Sequence, residues 1–137
     1  MEWVIDSSIA LAWVLPDEQS DRARRFGYRL GGEERLWIPP LWWYEVSNAL
    51  AICRRRGRAS DSEVHAAFSR LGGLQLMTDT LLGREGMTRH YLLAGECGLT
   101  AYDAAYLELA RRRGIGLATL DERLADAARA SGVEVLA

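Results

Sequence analysis

Lysine is absent from this 137-residue chain, because all 17 of its lysine-plus-arginine residues are arginine. A P-loop nucleotide hydrolase needs a lysine on its phosphates, and Schiff-base chemistry needs an amine side chain. The absence therefore excludes both chemistries. It also argues against receiver domains and haloacid-dehalogenase-like phosphotransferases, which combine an aspartate after their first strand with a lysine.

Cysteine and long apolar runs are scarce as well. Cys53 and Cys97 are isolated, without the spacing of a zinc site or a disulfide framework, which suits a reducing cytoplasm. The longest apolar run, 9–15, ends at Pro16 and is too short to cross a bilayer. The first residues lack the positive segment of a signal peptide. We therefore expect a cytoplasmic protein without a membrane contact.

Excess positive charge is also lacking, since the net charge is −2 at pH 7 and the pI is ≈ 5.7. Nonspecific nucleic-acid binding normally uses a basic field, so any such contact must come from local groups of arginines. The composition, 49% hydrophobic and 26% charged, indicates a folded chain. Its length suits one hydrophobic core, and we expect residues 1–137 to form a single domain.

Short apolar stretches alternate with helical stretches along the chain. The predicted strands are 3–5, 36–38, 74–77, 116–120 and 133–136. Their unbroken apolar character is typical of parallel strands that are buried on both faces. Among the predicted helices, the first is capped by Ser7 or Ser8 and a later one spans 80–94. The alternation predicts an α/β fold with a mostly parallel central sheet covered by helices.

Four acidic residues stand out by their positions. Asp6 and Asp121 each directly follow a predicted strand, so both should lie at the carboxyl edge of the sheet, where ligands bind in such folds. Glu45 and Asp103 lie inside helices that otherwise read as apolar. An unpaired charge in such surroundings costs several kcal/mol, so each of these carboxylates needs compensation.

A cation is the obvious compensation, but arginine is not close in sequence. The arginine triplets at 54–56 and 111–113 come about two turns after the acids on the same helices. If the four carboxylates converge, a pair about 4 Å apart repels by about 4 kcal/mol at an effective dielectric of about 20. Carboxylate oxygens suit Mg²⁺ or Mn²⁺, which can activate a water and stabilise charge during phosphodiester hydrolysis. We therefore expect a divalent metal site.

Four motifs, in order, carry a resemblance to a known family. They are VIDSS at 4–8, PLWWYEVSNAL at 40–50, TAYDAAY at 100–106 and ATLDERL at 118–124. With them the chain resembles, over essentially its whole length, the PIN-domain ribonucleases, and specifically the VapC-type toxins of bacterial toxin–antitoxin pairs. Each motif alone is weak, but the ordered set is specific. The resemblance implies one three-layer α/β PIN domain over 1–137.

The resemblance also implies a site and an activity. The family's acidic set falls on Asp6, Glu45, Asp103 and Asp121, which are expected to hold Mg²⁺ or Mn²⁺. Ser7 and Thr119 are expected to fix these acids by hydrogen bonds, and Asn48 to support the site. The expected reaction is cleavage of RNA by a metal-activated water. A cognate antitoxin is expected to block it, by placing a cationic side chain among the acids.

Tryptophan is abundant, with five residues in the chain. Trp13, Trp42 and Trp43 lie on predicted helices with too many aromatic residues for all of them to be buried, and aromatic residues are enriched at interfaces. The resemblance implies that these helices form a homodimer contact and the groove for the antitoxin. The arginine triplets have two interpretations, which are contact with RNA phosphates or neutralisation of helix dipoles.

Other interpretations of the acids stay open. Asp6 and Asp121 could serve only as helix caps, Asp103 could answer the dipole of its helix, and Glu45 could be solvated. An inactive PIN module that only binds RNA or protein predicts the loss of an acid, and none is lost. A small-molecule phosphohydrolase of another α/β family should show a nucleophile motif or a lysine, and neither appears. A flap-type DNA nuclease would need a longer chain.

Overall fold

A five-stranded parallel sheet forms the centre of the molecule. The computed structural model describes residues 1–18, 20–30 and 34–136. The strands are β1 (Glu2–Ile5), β2 (Arg35–Ile38), β3 (Leu76–Thr78), β4 (Gly116–Ala118) and β5 (Val135–Leu136). Their order in the sheet is β3-β2-β1-β4-β5, and each neighbouring pair is parallel. The predicted α/β fold is confirmed.

Seven α-helices in the described part of the chain flank this sheet. They are α1 (Ser7–Val14), α2 (Asp21–Leu30), α3 (Leu41–Arg55), α4 (Asp61–Gly72), α5 (Gly83–Cys97), α6 (Ala101–Arg113) and α7 (Glu122–Ala130). A short 3₁₀ turn at Pro16–Glu18 precedes α2. None of these helices has the length and apolar character needed to cross a membrane.

The strand order reverses at β1. The chain moves outward from β1 to β2 and β3, and then returns to the other side of β1 for β4 and β5. Right-handed crossovers therefore place α1 to α4 on one face and α5 to α7 on the other. The packing agrees, since α1 contacts α2, α3 and α4, whereas α6 contacts α5 and α7. In such sheets the ligand site lies beyond the carboxyl ends of the strands at the reversal, here β1 and β4.

Two local predictions were wrong. The cap of α1 is Asp6, whose side chain accepts the Ile9 amide at 3.2 Å, and not one of the two serines that follow it. The fifth helix spans Gly83–Cys97 instead of the predicted 80–94. It ends at its C-cap Gly98, which adopts the left-handed conformation (φ 64°) that glycine supplies at helix ends.

The three tryptophans that were predicted to bind partners differ in exposure. Trp42 is 1% exposed in the core, so its indole cannot meet a partner, and the prediction for this residue is corrected. Its neighbour Trp43 is 45% exposed and donates to the Thr78 hydroxyl at 3.0 Å. Trp13 is half-buried and donates to the Ala23 carbonyl at 2.7 Å. On α3, Trp42 thus faces the core, whereas Trp43, the next residue, faces solvent.

An ion cluster ties the end of α6 to the end of β3. Asp79 directly follows β3 and is 4% exposed. Arg112 donates to both carboxylate oxygens of Asp79, at 3.1 and 2.5 Å, and to Glu108 at 2.7 Å. Arg113 lies 3.4 Å from Asp79 and 3.4 Å from the centre of the Trp37 ring. Arg112 and Arg113 therefore join the end of α6 to β2 and to the end of β3.

Gly116 should tolerate no side chain. It begins β4 beside its register partner Trp3, and an added Cβ would lie 2.3 Å from a ring atom of that tryptophan. Overpacking of this kind costs about 1–3 kcal/mol, so Gly116→Ala should lower the free energy of unfolding in urea by about that amount. Gly95→Ala is the control. Its Cβ would meet no atom within 4 Å, and alanine should stabilise α5 by about 0.5–1 kcal/mol. Equal stabilities would contradict the packing described here.

Candidate active site

A buried carboxylate lies at the carboxyl end of β1. Asp6 is 5% exposed. The Ser8 hydroxyl donates to one of its oxygens at 2.6 Å, as does the Ile9 amide at 3.2 Å, and the Thr119 hydroxyl donates to the other. Burial raises the pKa of Asp6 to about 6 even though these three donors oppose the rise, and the charge of Glu45 adds to it. The ionised form of Asp6 is therefore costly in the folded chain.

Thr119 connects two of the predicted acids. It is 1% exposed, its hydroxyl donates to Asp6, and the same oxygen accepts the Asp121 amide at 3.0 Å. Ser8 makes a parallel connection, because its hydroxyl oxygen accepts the Leu120 amide at 3.0 Å. These bonds fix the segment after β1 to the segment after β4.

Glu45 reaches the same region from α3. It is half-buried and accepts a hydrogen bond from the Tyr106 hydroxyl of α6. Burial raises the pKa of Glu45, the Tyr106 bond lowers it, the charge of Asp103 raises it, and a hydrogen bond from Ser7 lowers it, with a net rise. Burial and Glu45 together raise the pKa of Tyr106 far above its ordinary value, so the phenol stays a donor. Asn48 is exposed, one turn further along α3.

Asp103 and Asp121 line a cavity of about 320 Å³ at this edge of the sheet. Asp103 lies in the first turn of α6, where its amide donates to the capping Thr100 hydroxyl at 3.1 Å. Asp121 caps α7 and accepts the amides of Arg123 and Leu124 at 2.9 and 3.1 Å. Burial and the charge of Asp121 raise the pKa of Asp103, and Thr100 and Arg123 partly oppose this. The helix-cap interpretation therefore holds for Asp121, without excluding a second role.

The four acids act on one another in a row. The charge of Glu45 raises the pKa of Asp6, and the charge of Asp103 raises that of Glu45. Asp121 does the same to Asp103. Within the described ranges, however, no three acidic, histidine or cysteine side chains are grouped so as to hold a metal ion. The acids form an open row, and their assignment as metal ligands stays a prediction.

Asp79 shows what an arginine does for an acid in a similar position. Like Asp6, it directly follows a strand and is nearly inaccessible to solvent. Burial raises its pKa, but the bonds and charge of Arg112, together with bonds from the Leu81 amide and Arg113, outweigh burial, and the pKa of Asp79 lies below its ordinary value. No arginine in the described part of the chain pairs with Asp6. Asp6 thus has three hydrogen-bond donors but no cationic partner among the described residues.

Three contributors were not predicted from the sequence. Tyr106 follows Asp103 by three residues, which puts both on one face of α6, and this spacing could have indicated it. Ser8 lies two residues after Asp6, which is close enough in sequence for its hydroxyl to reach that carboxylate. Arg123 lies at the cavity because of a contact that only the fold brings about. Its Nη2 donates to the Gly98 carbonyl at 3.2 Å, 25 residues away, and no local sequence pattern predicts that contact.

The fold and the acidic row define an α/β protein with a carboxylate site at the reversal of its parallel sheet. A family model described as PIN domain matches residues 3–130. The chain belongs to the PIN domain family. The resemblance drawn from the four motifs is thereby confirmed.

Several individual proteins are similar to this chain. Ribonuclease VapC3 of Pyrobaculum aerophilum is 32% identical over 126 residues, which cover 92% of this chain and 94% of that protein. The crystal structure of PAE2754 from Pyrobaculum aerophilum matches with a TM-score of 0.71 at 26% identity, over 99% of this chain and 84% of that one. VapBC2 from Rickettsia felis, bound to a DNA fragment from their promoter, matches with a TM-score of 0.66 over 98% and 97% of the two chains. At 11% identity this last match shows a common fold alone.

Removing the charge of Asp6 should stabilise the chain in EDTA at neutral pH. The folded-state pKa of about 6 exceeds the ordinary 3.8, so the folded chain loses stability as the pH rises from 3.8 to 6. The full cost, up to about 3 kcal/mol, is present above that range. Asp6→Asn should therefore raise the urea midpoint at pH 7.5, and its advantage should shrink as the pH falls toward 4.

Asp126→Asn is the matched control for that measurement. Asp126 is exposed on α7 and pairs only at the surface, with Arg129 at 3.2 Å, so its loss should change stability by a few tenths of a kcal/mol. A lower midpoint for Asp6→Asn than for the unmodified chain at pH 7.5 would show that the buried charge is compensated within the protein.

Proposed function

We propose that this chain is a metal-dependent endoribonuclease, the toxin of a toxin–antitoxin pair, and that a cognate antitoxin neutralises it. The row of four carboxylates at the carboxyl edge of a PIN fold carries the proposal. The name of the relative VapC3, a ribonuclease, supports the choice of RNA as substrate. We also propose that residues 1–137 form a single PIN domain, which the family match over 3–130 supports.

A divalent ion suits the chemistry of this edge. Mg²⁺ and Mn²⁺ prefer carboxylate oxygens, and a cation would relieve the repulsion and burial that raise the pKa values of Asp6, Glu45 and Asp103. These three residues would hold the ion, and Asp121 would complete the acidic pocket. When bound, the ion supplies positive charge for the phosphodiester transition state and lowers the pKa of a water.

The contribution of the protein itself is to keep the carboxylates oriented. Two hydroxyl groups and an amide hold Asp6 on both of its oxygens, so that its position is set before any substrate arrives. Tyr106 and Ser7 fix Glu45 in the same way. Groups that are oriented in advance need no reorganisation during the reaction, which is the main electrostatic advantage of an enzyme over water.

The inactive PIN module, which binds without cleaving, is less well supported. It predicts that at least one acid of the set is missing or lies elsewhere, whereas all four are present and act on one another along one edge. We further propose that the chain works in the cytoplasm. Cys53 and Cys97 are both free, as is usual in reducing compartments.

A second cavity offers a place for the antitoxin. It has a volume of about 420 Å³ and lies beside α1, α2 and α4. Trp13, Tyr28 and Leu71 supply apolar lining, and two arginines, Arg24 and Arg70, line it with one acid, Glu34. These side chains suit an apolar protein segment that carries acidic residues. We propose that the antitoxin docks here and extends a cationic side chain to the acids.

A homodimer is part of the same proposal. Met87, Tyr91 and Leu92 are 67%, 74% and 56% exposed and lie close together on α5. Met87 and Tyr91 are one turn apart, and with the neighbouring Leu92 they form an exposed apolar patch that a second copy of the chain could cover. Trp43 offers further exposed aromatic surface on α3.

Cleavage of RNA tests the enzymatic proposal. The purified chain should cleave cellular RNA in Mg²⁺ or Mn²⁺ and stop in excess EDTA. Asp103→Asn should reduce the cleavage rate by roughly a hundredfold or more, because it removes an expected ligand. Asp126→Asn removes an equal charge from the exposed face of α7 and should cleave normally. Normal cleavage by Asp103→Asn would refute the site, and metal-independent RNA binding without cleavage would favour the inactive module.

Light scattering during gel filtration tests both partner surfaces. The chain alone should have the mass of a dimer, and with the protein encoded by an overlapping upstream reading frame it should form a larger complex. Tyr28→Ser, at the second cavity, should weaken only that complex, and Tyr91→Ser, on α5, should weaken only the dimer. An unchanged complex with Tyr28→Ser would remove the antitoxin from this cavity, and a monomeric mass would refute the dimer.

A further inference from the structure

The arginine triplets lie far from the acidic row. They close the C-terminal ends of α3 and α6, while Glu45 and Asp103 lie near the beginnings of the same helices. At about 1.5 Å per residue, the triplets are about 12–16 Å from these acids along the helix axes. Two of the six arginines are also bound to Asp79. The candidate for contact with a phosphate next to the acids is therefore the arginine that lines the cavity of Asp103 and Asp121.

Arg123 is a cation at the site itself. It is exposed in the first turn of α7 and lines the cavity of about 320 Å³ together with Asp103 and Asp121. Its Nη2 donates to the Gly98 carbonyl at 3.2 Å, which holds the side chain over the cavity. Arg22, which also reaches this edge, is by contrast paired with a carboxylate on α7 at 2.8 Å.

The guanidinium of Arg123 keeps most of its donors free for a ligand. It forms no ion pair within 4 Å in the described part of the chain, and a guanidinium has five N–H donors, of which the Gly98 carbonyl takes one. The amides at the start of α7 are not the anion site, because Asp121 already accepts those of Arg123 and Leu124. A ligand at this place would therefore be held by the side chain.

A phosphodiester is the anion that this arrangement fits. A guanidinium binds phosphate oxygens with two parallel hydrogen bonds, and its charge does not depend on pH. The carboxylates beside it repel a free anion. The cavity therefore favours a phosphate that belongs to an RNA strand already held at the acidic row. We infer that Arg123 binds the RNA phosphate next to the scissile one and thereby positions the strand across the row of acids.

This inference rests on the proposed ribonuclease function, and an RNA-binding measurement separates the two. All proteins would carry Asp6→Asn so that the RNA stays intact, and the ligand would be a fluorescein-labelled single-stranded RNA of mixed sequence. Arg123→Gln should weaken binding by roughly 3- to 10-fold. It should also lower the slope of log K against log salt by about 0.7, the loss of one phosphate contact on a single strand.

Arg56→Gln is the matched control. Arg56 is exposed at the far end of α3, and its loss changes the net charge by the same amount. It should leave both the affinity and the slope unchanged. In the chain with Asp6 intact, Arg123→Gln should raise KM more than it lowers kcat, because the side chain binds a phosphate that does not react.

Arg123→Lys guards against a purely structural effect. If Arg123→Gln lowers the melting temperature, the affinity and salt slope of Arg123→Lys decide the test instead. It should keep the slope, since the charge remains, while losing part of the affinity with the bidentate geometry. Arg123 variants that match Arg56→Gln in affinity and slope would overturn the inference while leaving ribonuclease activity intact. An unmodified chain that fails to cleave RNA would overturn the proposed function first.

Discussion

The side chain of Asp6 enters the core at the point where β1 ends, and no cation of the described chain accompanies it. Three donors from the segments after β1 and β4 hold its two oxygens, yet burial still leaves its pKa near 6. The same carboxylate caps α1. One buried charge therefore sets the start of a helix and the joining of two strand ends. The charge of Asp6 affects both the stability of the fold and the chemistry at this edge. Neutralising Asp6 would stabilise the fold but would remove the charge that the chemistry needs.

α6 holds the other half of the site in place from both of its ends. Its first turns carry Asp103 and Tyr106, which meet the neighbouring acids. Its last turns carry Arg112, which donates to Glu108 on the same helix and to the buried Asp79 after β3. Tyr106 thus joins the start of α6 to Glu45 on α3, and Arg112 joins its end to Asp79 after β3. Because contacts at both ends fix α6, the position of Asp103 in its first turn is fixed as well.

Much of this arrangement could be predicted, and the exceptions share a cause. The strands are continuous apolar runs, and a parallel sheet brings their ends to one edge, so Asp6 and Asp121 could be placed from the sequence. Trp42 could not be separated from Trp43, because neighbouring residues on a helix share the same local pattern and only the packing of α3 decides which is buried. The bond from Tyr106 to Glu45 spans 61 positions. The cluster around Asp79 likewise depends on contacts between distant segments. Local periodicity carries no information about such contacts.

The hydroxyl of Thr119 donates to one acid and accepts from the backbone of another. Asp6 and Asp121 consequently share a single connecting oxygen, and a shift of either is felt by the other through that atom. Each acid in the row also alters the charge state of its neighbour. Substitutions along this edge will not behave as independent events, since groups that share partners show interaction energies of about 0.5–3 kcal/mol. The natural unit for dissecting this protein is therefore the pair or the whole row, measured in double-mutant cycles, and not the single residue.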